Sequence, residues 1–407
     1  MGRIIVIGAG ASGLMAAITA SRLGASVTVL ERMEKPGKKL LMTGNGRCNL
    51  TNLIMREPSA FRGEKPEFAC KILEQFGAED ALDFFHGLGV LTKERSGYIY
   101  PYTDQAATVL DALLLEASRL GIRIKCKEEA KSIRPLQGGG FQIETDTWTY
   151  EAEQVILSAG TMAASSSGFD DSGFRLADRL GHRIVPPLPA LVPLTIFGGF
   201  PEAASGVRCP AKVTLFLDEK PILSDQGELQ WTSYGISGIV VFQLSHFAAR
   251  GLAEGKKVVV ELDLLPDESP EELKQMAATL MPELLLNGLF AKKLQHALVK
   301  ACFGKKRPKW DESSLIRLLE FAKRLRLSVR GTKGFAHAQV CSGGVSVEEV
   351  HQETLESSLI PGLYVTGELL DIDGICGGYN LQWAWSTGYA AGKHAAQEQK
   401  NLQGGAL

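Results

Sequence analysis

The sequence predicts an α/β fold in which a parallel-sheet domain is interrupted by a β-rich domain and a helical insert. Three observations predict it. The N-terminus runs through a β-branched segment, a glycine-rich turn, a helix-like segment and a second apolar run. Pro186, Pro187, Pro189 and Pro193 then punctuate the chain and mark a boundary. Near the C-terminus, Tyr364 to Thr366 reads as one more buried strand, returning the chain to its first sheet.

The first element is Arg3 to Ile7, whose Ile4, Ile5, Val6 and Ile7 suit a strand covered on both faces. It leads directly into Gly8-Ala9-Gly10-Ala11-Ser12-Gly13. A helix from Leu14 to Leu23, closed by Gly24, and a strand from Ser26 to Leu30 follow, with Glu31 at the strand end. This is the spacing of a dinucleotide cradle. Gly8 permits the tight turn, Gly10 lets the backbone approach a diphosphate, and Gly13 lets helix and strand pack closely. Ala11 and Ser12 lie in the same turn, and the helix N-terminus beyond it offers free N–H groups and a partial positive charge to the diphosphate. Glu31, about 20 residues on, is placed to accept from ribose hydroxyls and disfavours a 2′-phosphate. NADP is therefore not expected in this cradle. After Glu31 and Arg32 the chain does not enter another helix, as an NAD dehydrogenase would. It becomes a loop containing Lys38, Lys39, Asn45, Gly46, Arg47, Cys48 and Asn49, suited to wrapping a large planar cofactor with backbone amides. That favours FAD over NAD.

Composition bounds the alternatives. The 407 residues suggest two to three domains. Acidic and basic residues number 46 and 44, so a uniformly basic nucleic-acid binder is excluded and a local basic patch is not. With 45% hydrophobic residues the chain can bury a large core. Seven cysteines without a CxxC pair argue against a disulfide framework or a zinc site, and for a reducing compartment. No apolar run approaches the ~18 residues of a membrane span. Val6 stands where a myristoylation signal needs Ser or Thr. A cytoplasmic protein is expected. None of the seven histidines pairs at metal spacing, and there is no GxSxG, so neither a metal nor a nucleophilic triad is expected.

The stretch Gly37 to Asn52, GKKLLMTGNGRCNLTN, resembles the signature of the BaiN-like (aminoacetone-oxidase-like) flavoprotein family, which includes a 23S rRNA dihydrouridine synthase type. Further blocks fit in order. Gly97-Tyr98-Ile99-Tyr100-Pro101, with a helix from about Asp104, resembles a family GRxFP stretch with Tyr98 replacing the arginine. Gly227 to Gly238 and Gly343 to Asn380 resemble two later blocks. The resemblance implies a glutathione-reductase-type FAD-binding Rossmann domain. It adds Arg32, Ala130, Ala159 and Gly160 to the residues near the cofactor. It also makes Gly367-Glu368 the second FAD motif, the acid holding ribityl hydroxyls. Gly378, Tyr379 and Asn380 begin a closing helix, through Trp383 and Trp385, whose N-terminus would face the flavin. One departure stands out: where the family carries a paired glycine, this chain has Gly160-Thr161.

The rest of the chain is divided accordingly. Residues 1–190 and 343–407 form the FAD domain, 191–265 a β-rich substrate domain, 266–328 a helical insert, and 329–342 the return. Gly138-Gly139-Gly140 reads as a hairpin tip, and Ser269-Pro270-Glu271-Glu272 as a helix start. Within the insert, Ala291 to Lys333 holds 13 Lys plus Arg against three acids. Lys305, Lys306, Arg307 and Lys309 beside Trp310, then Lys323, Arg324 and Arg326, suit phosphate contact and base stacking. A solvated face or a site for a small anion are the alternatives.

Catalytic candidates are Cys48, Arg47 and Tyr379. Arg47 would lower the Cys48 thiol pKa, and the thiol would donate a proton; the alternative is a small buried residue packing beside the cofactor. Tyr98, Tyr100 and Tyr234 are rival donors. The chain lacks a second GxGxxG and a CxxxxC pair, so NAD(P)H would dock transiently. The preferred expectation is an NAD(P)H-dependent FAD reductase of a conjugated C=C bond, with a uracil of 23S rRNA as substrate. Alternatives are a dehydro-bile-acid or other enone reductase, a small-amine oxidase, and a non-catalytic RNA-binding factor.

Overall fold

The computed structural model describes residues 3–55, 58–305 and 308–404. The chain divides into two compact units. One comprises Met1–Met162, Gly168–Pro187 and Val340–Leu407, the other Ala163–Ser167 and Leu188–Gln339.

The first unit is built on a five-stranded parallel sheet. Strand β1 (Arg3–Ile7) lies at its centre, flanked by Gln154–Leu157 on one side and β2 (Ser26–Glu31) on the other. Leu363–Val365 and Arg123–Cys126 form the edges. Ile4, Ile5, Val6, Val155, Ile156 and Leu157 are wholly buried, as a parallel sheet covered on both faces requires. Helix α1 (Ala11–Arg22) follows β1 and starts three residues earlier than the apolar periodicity indicates.

Glycines set how closely α1 is held. A Cβ at Gly13 would stand 2.0 Å from the Gly8 carbonyl oxygen. On the C-terminal helix, Tyr379–Gly404, Cβ atoms at Gly388 and Gly392 would stand 2.4 Å from the carbonyl oxygens of Ser12 and Ala16 respectively. No side chain fits between these backbones. At its far end α1 is tied to helix Ala106–Arg119 by Arg22, whose guanidinium pairs with Glu116 at 2.8 Å.

The second unit is a closed barrel of six strands with helices. The strand order is Leu194–Ile196, Gly235–Ser237, Lys220–Thr232, Arg208–Leu217, Val258–Asp263 and Leu325–Thr332, closing back onto the first; every neighbouring pair is antiparallel. Closure removes free sheet edges. Among the described residues the segment expected to be a helical insert contains four helices: Pro270–Thr279, Pro282–Leu289, Lys292–Phe303 and Glu312–Lys323. The first starts on a capping box. Ser269 Oγ accepts from Glu272 N–H at 3.2 Å while Ser269 N–H donates to Glu272 Oε2 at 2.9 Å. The last barrel strand begins at Leu325, inside the range assigned to the insert. Leu325, Leu327 and Val329 are buried while Arg326, Ser328 and Arg330 are exposed, a period of two partly hidden by the basic residues. Among the described residues no helix is long and apolar enough to cross a membrane.

Glu116 carries a pH signature. Its side chain is 6% exposed, and hydrogen bonds from Arg119 and then Arg22 hold its carboxyl down to about 2. The folded-state value lies below the unfolded one, so the stabilisation is present above about pH 4.5 and is lost as pH falls through about 2. Glu116→Gln is therefore expected to lower the unfolding midpoint at neutral pH. The gap from the parent should close as the pH approaches 2 in urea titrations.

Candidate cofactor cradle and active-site face

The turn between β1 and α1 has the shape that a diphosphate needs. Gly8 has φ +102°, and a Cβ there would stand 2.4 Å from the Ser158 carbonyl oxygen. At Gly10, by contrast, nothing lies within 4 Å of the Cβ position. The one glycine expected to admit a ligand faces open space, while Gly8 and Gly13 face backbone. Gly10 caps α1 without a side-chain hydrogen bond, so the first helical N–H groups, at Ala11 and Ser12, are left for a ligand.

Glu31 ends β2 with its carboxylate already oriented. Oε2 accepts from Ala9 N–H at 2.7 Å and Oε1 from Met33 N–H at 2.8 Å. A carboxylate has about four acceptor positions, which leaves room for ribose hydroxyls. Arg32 pairs with Asp170 at 2.5 Å and donates to the Gly168 carbonyl at 2.9 Å. It braces the 168–172 loop. Ala130 is buried at the start of strand Ala130–Pro135. Beyond strand Gln154–Leu157, Gly160 has φ +71° and an open Cβ position.

Glu368 is more heavily engaged than the sequence suggests. Lys39 Nζ lies 2.5 Å from Oε2, while Thr161 Oγ1 and Cys341 N–H donate to Oε1 at 2.7 and 2.8 Å. Thr161, the departure from the family pattern, is a donor to this acid. Glu368 thus joins three segments besides its own. The neighbouring Gly367 has φ +69°, and a Cβ there would stand 2.6 Å from Ser12 Oγ, so the second motif sits directly against the head of α1.

Lys38 and Lys39 open the short helix Lys38–Met42, and the loop beyond it is left-handed at Asn45 (φ +55°), Gly46 (φ +82°) and Cys48 (φ +59°). Asn45, Gly46 and Arg47 are exposed. Cys48 is 0% exposed, and burial pushes its thiol up to about 12, against an opposing hydrogen bond with Thr43. The geometry is that of the packing alternative, with the thiol turned away from solvent. Asn49 donates its amide to the Ile99 and Thr51 carbonyls and accepts from Gly378 N–H. It fixes the head of the C-terminal helix.

That head is built from glycine and asparagine. Gly378 has φ +92°, and a Cβ there would stand 2.6 Å from the Thr51 carbonyl oxygen. Asn52 donates to the Gly377 carbonyl at 3.0 Å, and Asn380 bonds both polar atoms of Gly374 at 2.8 Å. Tyr379 is buried, its ring edge-on to Phe61 at 5.9 Å, which makes it part of the packing.

Tyr98 and Tyr100 belong to a hairpin, Thr92–Arg95 with Tyr98–Pro101, that the sequence reading did not resolve. Its turn is Ser96-Gly97, with φ +53° and +86°, the backbone of a two-residue hairpin turn. The register places Lys93 opposite Tyr100 and Arg95 opposite Tyr98, so the four share one face. Tyr98 Cε1 would lie 2.5 Å from a Cβ at Gly377, which brings this face against the head of the C-terminal helix.

The family model described as "HI0933-like protein Rossmann domain" matches residues 2–394. The chain belongs to the HI0933-like family. It is an FAD-dependent oxidoreductase by class, and the cradle fits that cofactor on the geometry of Gly8, Gly10 and Gly13. The HI0933-like chain is 44% identical to a 3-dehydro-bile acid delta(4,6)-reductase of Clostridium scindens, over 98% of this chain and 100% of the relative. It is 30% identical to a ribosomal RNA dihydrouridine synthase of Escherichia coli, over 95% and 96% of the two chains. Among solved structures, 3-ketosteroid delta1-dehydrogenase from Sterolibacterium denitrificans shares the fold, with a TM-score of 0.54 at 13% identity. That match covers 98% of this chain and all of the other.

The basic segment of this HI0933-like protein is only partly available to a ligand. Lys306 and Arg307 lie outside the described residues. Lys305 and Lys309 are exposed, and Arg324 lines a cavity of about 800 Å³ with Lys212, Lys274 and Arg317. Lys323 and Arg326 of the expected set are already paired within the chain. Lys323 Nζ pairs with Asp263 at 2.9 Å and donates to the Leu265 and Glu268 carbonyls. Arg326 pairs with Glu219 at 2.8 Å and lies over Phe216. Both are neutralised by acids from outside the basic run.

The glycines make separate predictions. Gly10→Ala has no clash within the chain and is expected to leave the unfolding temperature of FAD-stripped protein unchanged. FAD affinity should weaken by about tenfold or more, because the methyl takes the diphosphate's space. Gly13→Ala is expected to lower the unfolding temperature itself.

Proposed function

We propose that this protein is an NAD(P)H-dependent FAD reductase that saturates a C=C bond conjugated to a carbonyl, with a uracil of 23S rRNA as acceptor. The observation that carries the reductase reading is the hairpin face bearing Tyr98 and Tyr100, set against the head of the C-terminal helix at Gly377. FAD, when bound, supplies the hydride for the carbon β to the carbonyl. The adjacent carbon then needs a proton from the protein. Tyr100 is suited to give it. Burial first, then Tyr98, raises its hydroxyl above the ordinary phenol range, with Arg95 and Arg47 opposing, so it carries its proton at neutral pH. The N-terminus of the C-terminal helix offers its partial positive charge to an oxygen that gains negative charge.

The RNA acceptor is supported by the name of the E. coli relative and by the exposed Lys305, Lys309 and Arg324. A second reading, reduction of a steroid enone, is favoured by the 44% identity with the bile acid reductase. The pairing of Lys323 with Asp263 and of Arg326 with Glu219 also leans that way.

The test is to incubate holoprotein and NAD(P)H with a 23S rRNA fragment and, separately, with a 3-oxo-4,6-diene bile acid, and to read products by mass. A gain of two hydrogens in a uridine supports the first acceptor, and the same gain in the steroid supports the second. Peroxide formation from a small amine, with neither gain, would replace the reductase reading with an oxidase. Whichever acceptor reacts, Tyr100→Phe is expected to lower kcat by about 10²–10⁴-fold. Cys48→Ala should leave kcat within a few-fold.

A further inference from the structure

Hydride and proton delivery do not account for the charge on the hairpin face. Arg95 is half-exposed, its guanidinium 5.6 Å from the centre of the Tyr100 ring, and Asp104 holds it from one side at 3.0 Å. One carboxylate oxygen leaves most of the guanidinium fork unused. The same oxygen of Asp104 also takes Lys93 at 2.6 Å, so a single acid is shared between two cations. Arg47 is exposed, has no ion pair among the described residues, and acts electrostatically on the same Tyr100 hydroxyl. Arg95 therefore lies beside the tyrosine with donors to spare, and Arg47 stands on the adjoining loop whose Asn49 donates to the Ile99 carbonyl, next to Tyr100. A protein surface gains little from leaving cations together in this way, whereas a bidentate oxyanion would use both.

We infer that Arg95 and Arg47 form a clamp for an anionic group on the substrate, placed so that the ring to be reduced lies beside Tyr100. The ligand chemistry is a flat conjugated ring carrying an oxyanion nearby, either the phosphate of a nucleotide or the carboxylate of a small acid. Arg95 acts as a specificity-determining residue, and Asp104 as the positioning residue that keeps its fork turned to the Tyr100 face. The inference rests on the reading of Gly377 and Gly378 as the flavin end of the site.

Binding, measured without NAD(P)H, tests it separately from turnover. Holoprotein is titrated calorimetrically with UMP against uridine, and with 3-oxo-4-cholenoic acid against its methyl ester. The expected result is that at least one anionic probe binds ten or more times tighter than its neutral counterpart. Arg95→Ala should abolish that preference, and Arg95→Lys should restore part of it. A preference for UMP alone names the phosphate, and one for the acid alone names the carboxylate. Equal binding of charged and neutral probes, no binding of any of the four, or a preference that survives Arg95→Ala in a protein with unchanged unfolding temperature would overturn the clamp. A charge preference that depends on Arg95, in a protein that reduces neither acceptor, would sink the reductase reading and leave the clamp standing.

Discussion

The first unit depends on how closely backbone approaches backbone around α1. Gly13 lets the helix rest on the Gly8 turn, Gly388 and Gly392 let the C-terminal helix rest on Ser12 and Ala16, and Gly367 lets the second motif meet Ser12. Each contact excludes even a methyl group. Packing of this kind converts small volume changes into large shifts, because a close-packed interior has no slack to absorb them. Its consequence is aim. The N-terminus of α1, with its unpaired N–H groups, is held in one direction by three separate chain segments, and Gly10, whose Cβ position is open, faces the space in front of it.

The polar contacts extend that frame toward the chemistry. Glu368 gathers Lys39, Thr161 and the backbone of Cys341, so the loop after strand Gln154–Leu157, the short helix Lys38–Met42 and the strand Val340–Val345 share one carboxylate. Asn49, Asn52 and Asn380 play the same part at the head of the C-terminal helix. Groups so fixed need little reorganisation when charge develops beside them, which is how a preorganised site lowers a barrier. The hairpin adds a face of a different kind, with phenol hydroxyls and cations on one side of a small three-stranded sheet.

The cradle was legible because its chemistry restricts the residue at particular places: three glycines, a helix and a terminal acid have few other uses in that order. The helix start at Ser269 was legible for the same reason, since a capping box is local. What stayed hidden depends on partners distant in sequence. Thr161 reads as a lost glycine until Glu368 is seen 2.7 Å away. Cys48 reads as reactive beside Arg47 because sequence adjacency suggests a field, yet the backbone turns its thiol into the core. Lys323 and Arg326 read as free cations because their acids, Asp263 and Glu219, lie outside the basic segment. Gly388 and Gly392 offered a signal that could have been used: two small residues four apart on a helix make one flat stripe. Ser96-Gly97 offered another, as a turn dipeptide between two short runs.

The proposed function has this protein pass electrons from a nicotinamide to a conjugated C=C bond through its bound cofactor. Anaerobic stopped-flow mixing of the yellow holoprotein with NADH or NADPH tests it most directly, by following the oxidised-flavin absorbance and then adding the acceptor without oxygen. Bleaching by at least one nicotinamide is expected, with recovery of the colour when the rRNA fragment or the steroid enone is added, in step with its reduction. Failure of both nicotinamides to bleach the flavin would contradict it.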